Sequence, residues 1–244
     1  MRKNNFKKII GVATVTMVLA LGSISVFATD YWGNSETYSA GSYTARHASY
    51  MTIDGYAQAR TIIKSDSGKS LPPGTMGVKP RAYYSSGSLA KGGSWSYTDI
   101  ASSSFDCPVS IKKLSGYVYS QGQTALWNGT SYTTKSTTAS PNADVSGYSR
   151  VSKSTGFEIK ENENGQTYGP ALFTLEDPDL ILATGTDGTE GYVKDTDLNG
   201  DIAKSPEEAI EIMKTKNNES KFIPLYDSNG ENVIGEFEIC PREE

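Results

Sequence analysis

Ala57-Gln-Ala-Arg-Thr-Ile-Ile63 and Met76-Gly-Val-Lys-Pro-Arg-Ala-Tyr-Tyr84 are two short runs in which apolar or aromatic residues interleave with polar ones. Gly93-Ser-Trp-Ser-Tyr-Thr98 and Gly116-Tyr-Val-Tyr-Ser120 have the same character, and clusters of Gly, Ser and Pro separate the runs. A period of two is typical of half-buried strands, and this region has no sustained helical period. Residues 29–141 are therefore predicted to form an antiparallel β-sandwich or a barrel-like domain.

The chain after residue 155 has a different pattern, in which two strand pairs enclose one helix. Asp179-Leu-Ile-Leu-Ala-Thr184 and Gly191-Tyr-Val-Lys194 flank one turn, and Phe222-Ile-Pro-Leu-Tyr226 and Val233-Ile-Gly-Glu-Phe-Glu-Ile239 flank another. Ser205-Pro-Glu-Glu208 predicts a helix start, because the serine can cap free amides and the proline has a preset φ. Residues 156–244 are therefore predicted to form a small α+β module in a protein that is mostly β.

Charge and aromatic content change together along the chain. Residues 29–141 contain ten basic and six acidic residues, whereas residues 142–244 contain nine and 22. All three tryptophans and eleven of the fifteen tyrosines precede Pro141. Because the sequence up to Thr155 is also rich in Ser and Thr, residues 142–155 are predicted to be a linker between two domains.

The first 28 residues have the pattern of an export signal. Basic residues at positions 2, 3, 7 and 8 precede the apolar run Ile9–Leu21, and small or neutral residues end at Ala28. The run is shorter than the roughly 20 residues that a spanning helix needs, which favours cleavage over anchoring. We expect a secreted, extracellular protein with no membrane span, whose net charge moves from −5 to −9 on loss of four basic residues. An acidic protein of this kind is not expected to bind nucleic acid.

The carboxyl-terminal segment carries a set of motifs in a fixed order. They are Asn164-Gly-Gln-Thr-Tyr-Gly169, Pro178-Asp-Leu-Ile181, Gly185-Thr-Asp-Gly-Thr-Glu-Gly-Tyr-Val193, Ser205-Pro-Glu-Glu-Ala209 and Ile223-Pro-Leu-Tyr-Asp227 through Val233-Ile-Gly-Glu-Phe237. With them, residues 155–239 resemble a short extracytoplasmic module of exported Gram-positive proteins, often labelled after β-lactam-sensing membrane metallopeptidases. The peptidase motif is absent, since the sequence has one histidine. Tyr119-Ser-Gln-Gly-Gln-Thr-Ala-Leu-Trp-Asn-Gly129 resembles uncharacterised secreted Gram-positive proteins.

The sequence offers few catalytic groups. The one histidine, His47, lies in Ala45-Arg-His-Ala-Ser49, and the chain has no Gly-x-Ser-x-Gly elbow for a serine nucleophile. Neither cysteine has the signature of a nucleophile, and no motif selects a pair of carboxylates. The protein is therefore predicted not to be an enzyme, with an unrecognised extracellular hydrolase as an alternative.

Asp195-Thr-Asp-Leu-Asn-Gly-Asp201 has oxygen-bearing side chains at alternate positions and a glycine at the bend. This spacing matches the first half of a calcium loop, so Asp195, Asp197, Asn199 and Asp201 are candidate ligands of a weakly bound Ca²⁺. The twelfth position of such a loop falls on Pro206 instead of a glutamate, and the run could equally be a solvated turn. No other cofactor is expected.

Cys107 and Cys240 lie one in each half of the chain. Export would bring them into an oxidising compartment, where a disulfide could pin the last strand to the first domain. Many exported bacterial proteins keep unpaired thiols, and the sequence leaves both states open.

Aromatic rings are the remaining candidate site, because planar rings on a β face stack on sugar rings. The candidate ligand-binding residues are Trp32, Trp95, Tyr97, Trp127 and Tyr132, although such rings also fill cores well. The sequence thus predicts a secreted, non-catalytic binding protein of a Gram-positive cell surface. Its expected partner is a cell-wall or surface glycan or another surface protein. The alternative from another class is a secreted bacteriocin-like toxin.

Overall fold

The computed structural model describes residues 29–54, 56–111, 114–145, 158–171, 177–200, 202–215 and 219–241. The predicted export signal and most of the predicted linker lie outside these ranges. As predicted, the described chain is mostly β, with a small helical content. In chain order the strands are β1 (Thr29–Trp32), β2 (Glu36–Ala40), β3 (Tyr43–Asp54), β4 (Tyr56–Ser65), β5 (Met76–Lys79), β6 (Arg81–Tyr84), β7 (Leu89–Gly93), β8 (Ser96–Tyr97), β9 (Ser104–Ser110), β10 (Tyr117–Ser120), β11 (Gln123–Trp127), β12 (Tyr132–Ser136), β13 (Ala143–Asp144), β14 (Lys160–Glu161), β15 (Thr167–Gly169), β16 (Leu180–Thr184), β17 (Glu190–Lys194), β18 (Lys221–Tyr226) and β19 (Val233–Cys240); the helices are α1 (Asp195–Asn199) and α2 (Pro206–Thr215).

The first half of the chain is organised around the long antiparallel pair β3–β4. Its register runs from Ala45 opposite Ser65 to Asp54 opposite Tyr56. Strand β9 pairs with β4, whereas β1 and β2 pair with successive parts of β3. These five strands form one layer of the sandwich.

The second layer consists of the sheet β12-β11-β5-β8 and the adjoining strands β13, β10 and β6. Two apolar clusters lie between the layers, one around Ile63, Val78 and Leu126 and one around Met51 and Val118. A band of buried hydroxyl and imidazole groups lies in the same core; its members are His47, Ser49, Thr61, Thr124 and Thr137. These groups form hydrogen bonds with one another; the Oγ of Ser49, for example, lies 2.6 Å from the Oγ1 of Thr137. Their polar atoms therefore have hydrogen-bond partners although they are buried away from water.

Strands of the second half form a small barrel together with β7 of the first half. Strands β16 to β19 follow one another as antiparallel neighbours, and β7 closes the ring because it pairs in parallel with β16 at Leu89 and with β19 at Gly92 and Gly93. Inward-facing side chains of these strands fill the barrel, among them Leu89, Ile181, Val193, Leu225 and Phe237. Strand β7 also pairs with β6, so one ten-stranded sheet extends from the sandwich into the barrel.

The local elements predicted for the second half are confirmed. The β16–β17 and β18–β19 hairpins turn at Gly188 and Gly230, which have φ values of 89° and 71° that favour glycine. Helix α2 begins at Pro206; the Ser205 Oγ accepts the Glu208 amide (3.3 Å), and the Glu208 carboxylate accepts the Lys204 amide (2.7 Å). Helix α1 was not predicted. Within the described residues, no helix is long and apolar enough to span a bilayer.

Candidate functional site

A groove of about 380 Å³ opens where β1 meets the segment between β12 and β13. The described residues that line it are uncharged, and they include Trp32, Asn34, Ser85, Tyr119, Thr138 and Asn142. Gly33 allows the two walls to meet, because a Cβ at this position would lie only 2.7 Å from the carbonyl oxygens of Thr138 and Ala139. The groove is therefore an uncharged cleft with one large exposed ring at its edge.

That ring belongs to Trp32, whose surface is 47% exposed. Trp32 lies opposite Tyr50 in the β1–β3 ladder, and the two rings stack with centroids 3.9 Å apart and planes 12° from parallel. One face of the indole is thus covered by a neighbouring ring. Stacking of this kind holds the exposed part of the indole in a fixed orientation.

Tyr50 is in turn fixed in place by hydrogen bonds to the ion pair of Arg60 and Asp106. Its hydroxyl donates to the Oδ2 of Asp106 (2.5 Å) and accepts from the Nε of Arg60 (2.9 Å), and Arg60 also donates to Asp106 (2.8 Å). Burial and the Asp106 carboxylate raise the pKa of Tyr50 above its ordinary value. The phenol is protonated at neutral pH, and its hydrogen bonds to Asp106 and Arg60 keep it in the orientation that supports Trp32.

Polar groups lie along the rest of the groove. The Thr138 hydroxyl donates to the Oε1 of Glu36 (2.7 Å), and the Ser140 hydroxyl accepts the amide of Ser120 (2.9 Å). Asn34 and Asn142 are exposed, so their side-chain amides can donate to and accept from a ligand. The arrangement combines a stacking face with neutral hydrogen-bonding groups.

The other four predicted aromatic residues do not reach this groove. Tyr97 is fully buried and Trp95 nearly so, and Tyr97 contacts both Trp95 (6.1 Å) and Tyr132 (5.4 Å); half-buried Trp127 lies edge-on to Tyr132 at 5.2 Å. The rings of Trp95 and Tyr97 therefore pack in a core, and a role for them in ligand binding stays a prediction. They are buried because helix α2 covers them with the side chains of residues 209, 212 and 213.

The acidic run at residues 195–201 begins as a helix and not as a loop. Asp195 to Asn199 form α1, and Asp201 lies outside the described residues. The Oδ1 of Asn199, which a calcium loop would direct at the ion, accepts hydrogen bonds from Lys79 (2.7 Å) and Arg81 (2.6 Å). No group of three or more His, Cys, Asp or Glu side chains suited to a metal occurs in the part of the chain that is described. The Ca²⁺ site stays a prediction. In this structure Lys79 and Arg81 already donate hydrogen bonds to the Oδ1 of Asn199, which is one of the predicted ligand atoms.

Lys79 and Arg81 form a buried polar cluster with α1 that the sequence did not indicate. Arg81 pairs with Asp177 (2.6 Å) and Lys79 also donates to the carbonyl oxygen of Leu198 (2.6 Å). Burial, with the neighbouring Arg81, lowers the pKa of Lys79 well below its ordinary value. Burial, with the nearby Asp177, raises the pKa of Asp195. The cluster joins the sandwich to the barrel.

His47 and the two cysteines are wholly or partly buried within the fold. His47 is 3% exposed, and its Nδ1 is hydrogen-bonded to the Oγ1 of Thr124 (2.8 Å), within the buried polar band. Cys107 is buried and Cys240 half-buried, and both have thiol side chains. The disulfide that the sequence left open is not formed in this structure.

Comparisons with protein-family models, with curated proteins and with solved structures found no match to this chain. The resemblance of residues 155–239 to an extracytoplasmic module therefore stays a prediction. The function has to be inferred from the geometry and chemistry of the groove.

Proposed function

We propose that the protein is a secreted, non-catalytic surface protein of a Gram-positive bacterium that binds a neutral cell-wall or surface glycan through the groove beside Trp32. The observation that carries the proposal is the Trp32 ring, exposed at the edge of a polar groove and stacked on Tyr50. Its secretion rests on the pattern of residues 1–28.

The Trp32 ring suits the apolar face of a sugar. Pyranose rings present C–H groups on one side, and an indole already held by a second ring loses little conformational freedom when a ligand stacks on it. An exposed indole that was free to rotate would have to be ordered on binding, at a cost in affinity. The pre-stacked geometry supports a ligand with a flat apolar face.

The other residues that line the groove can form hydrogen bonds with the hydroxyl groups of the same ligand. The amides of Asn34 and Asn142 and the hydroxyl of Ser85 can both donate and accept, as sugar hydroxyls do. The described lining has no charged side chain, so a charged ligand would lose hydration without gaining an ion pair. The chemistry favours a neutral glycan over an acidic one or a charged peptide.

The experiment is retention of the purified protein on sedimented Gram-positive cell walls. We expect the wild type to sediment with the walls and Trp32→Ala to remain in the supernatant, because the substitution removes the stacking face. Phe222→Ala is the matched control, since Phe222 is also an exposed ring (53%) but lies on β18 and is not among the residues that line the groove.

Two results would contradict the proposal. One is a wild-type protein that does not sediment with any wall preparation, and the other is equal retention of the wild type and Trp32→Ala. Killing of neighbouring strains without wall retention would favour the toxin alternative.

A further inference from the structure

Lys79, Asn199 and Asp195 meet where the sandwich joins the barrel. Lys79 ends β5 and is fully buried, and Asn199 ends α1. The Nζ of Lys79 lies 2.7 Å from the Oδ1 of Asn199. The amide carbon Cγ is bonded directly to that oxygen, so a fully buried primary amine is held beside the carboxamide carbon of a half-buried asparagine.

The other contacts of Asn199 are those that a carboxamide needs when an amine attacks it. The Nη2 of Arg81 donates to the same Oδ1 at 2.6 Å, so a cation faces the oxygen on which negative charge would develop. The Nδ2 of Asn199 donates to the Oδ1 of Asp195, so the nitrogen that would leave touches a group able to exchange a proton with it. The fold thus provides nucleophile, oxyanion donor and proton carrier around one amide, and holding them together replaces a slow encounter in solution.

We propose that Lys79 and Asn199 form an intramolecular isopeptide bond in the folded protein. The Nζ–Cγ bond forms, the Cγ–Nδ2 bond breaks, and Nδ2 leaves as ammonia. The Lys79 ammonium gives up two protons, one before Nζ attacks and one as the new bond forms; Asp195 carries the second to Nδ2, and the first converts the released ammonia into an ammonium ion. One lysine ammonium is consumed and one ammonium ion is released, so atoms and charge balance and no oxidant or cofactor is needed.

Two features of the fold favour the bonded state. The reaction removes a positive charge from a fully buried position, where an ion is costly to maintain. It also ties β5 of the sandwich to α1 of the barrel across 120 positions of sequence, which restricts the unfolded chain. For a protein exposed to extracellular proteases, such a tie would resist opening of the interface.

The test is a tryptic peptide map of the purified protein by mass spectrometry. Trypsin does not cut before Pro80, so Lys79 lies inside the peptide of residues 70–81, and Asn199 lies inside the peptide of residues 195–204. We expect one species with the combined mass of these two peptides less one ammonia. Recovery of both peptides separately would overturn the proposal.

The map also separates the isopeptide from a different loss of ammonia. Asn199 precedes Gly200, and an Asn–Gly pair can lose ammonia by forming a succinimide within its own backbone. A succinimide leaves residues 70–81 and 195–204 as separate peptides, so its detection without a joined species also counts against the crosslink.

Two variants test the assigned roles. Lys79→Arg keeps a positive charge but has no amine nucleophile, and Asp195→Asn keeps the size of the side chain but cannot carry the proton. We expect both to yield unjoined peptides, with folding checked by circular dichroism. A folded Asp195→Asn protein that is joined as fully as the wild type would overturn the proton step through Asp195. The wild-type map tests the bond itself even where a variant fails to fold.

Discussion

At the scale of single residues, burial decides which of the aromatic side chains can act. Trp32 and Trp95 both stand among Gly, Ser, Tyr and Thr residues, and the local sequence does not distinguish them. The difference comes from contacts distant in sequence, because α2 covers Trp95 whereas nothing described covers the outer part of Trp32. The sequence could therefore propose five rings but could not select one, and it gave no signal for Asn34 or Asn142.

His47 gives a residue-scale prediction on pH. Burial lowers its pKa from 6.5, an effect that the nearby Glu36 partly opposes and Lys135 reinforces. The unfolded chain therefore takes up a proton more readily than the folded one, so stability decreases as the pH falls below the unfolded pKa. We expect urea unfolding to give a lower free energy at about pH 5.5 than at about pH 7.5.

The matched variant is His47→Gln, which stays neutral and can still bond to Thr124. It should lose less stability over the same pH interval than the wild type does. An equal loss in the two proteins would show that His47 does not contribute.

At the scale of secondary-structure elements, the sequence predicted those elements whose formation depends on neighbouring residues. The hairpins at Gly188 and Gly230 and the start of α2 at Ser205-Pro206 follow from residues that are adjacent in sequence. Helix α1 could not be predicted in the same way, because its last residue is held by Lys79 and Arg81, more than a hundred positions earlier. Without those contacts, Asp195 to Asp201 has the pattern of a calcium loop or a solvated turn.

The cap of α2 gives the prediction at this scale. Ser205→Ala removes the oxygen that accepts the Glu208 amide, and we expect the free energy of unfolding to fall by about 1 kcal/mol. Ser205→Asp, which restores an accepting oxygen, should recover most of the loss. Urea unfolding followed by tryptophan fluorescence measures both, because α2 covers Trp95. If alanine and aspartate at this position give the same stability, the cap does not stabilise the helix.

At the scale of the whole molecule, the two halves share a sheet. The shift in charge and aromatic content near residue 142 predicted two domains, and this division stays a prediction, since one ten-stranded sheet contains strands from both sides of residue 142. The sequence could not show that β7, from the first half, closes the barrel of the second. The pairing of residue 89 with residue 183 cannot be recognised from the sequence around either residue.

This sharing predicts that the second half does not fold alone. A fragment of residues 156–244 lacks β7, so the edges of β16 and β19 would be left without their partner. We expect its two-dimensional amide NMR spectrum to show the narrow dispersion of an unfolded chain, whereas the full protein gives a dispersed spectrum. A well-dispersed fragment spectrum would mean that the acidic half is an independent module.

The central claim is that Trp32 provides the stacking face for a neutral glycan. Its most direct test is calorimetric titration of the purified protein with soluble neutral oligosaccharides released from the walls that retain it. We expect saturable binding by the wild type and by Phe222→Ala. The affinity of Trp32→Ala should be lower by a factor of about ten at least, which corresponds to a loss of about 1.4 kcal/mol or more in binding free energy. Equal affinities of the wild type and Trp32→Ala would contradict the account.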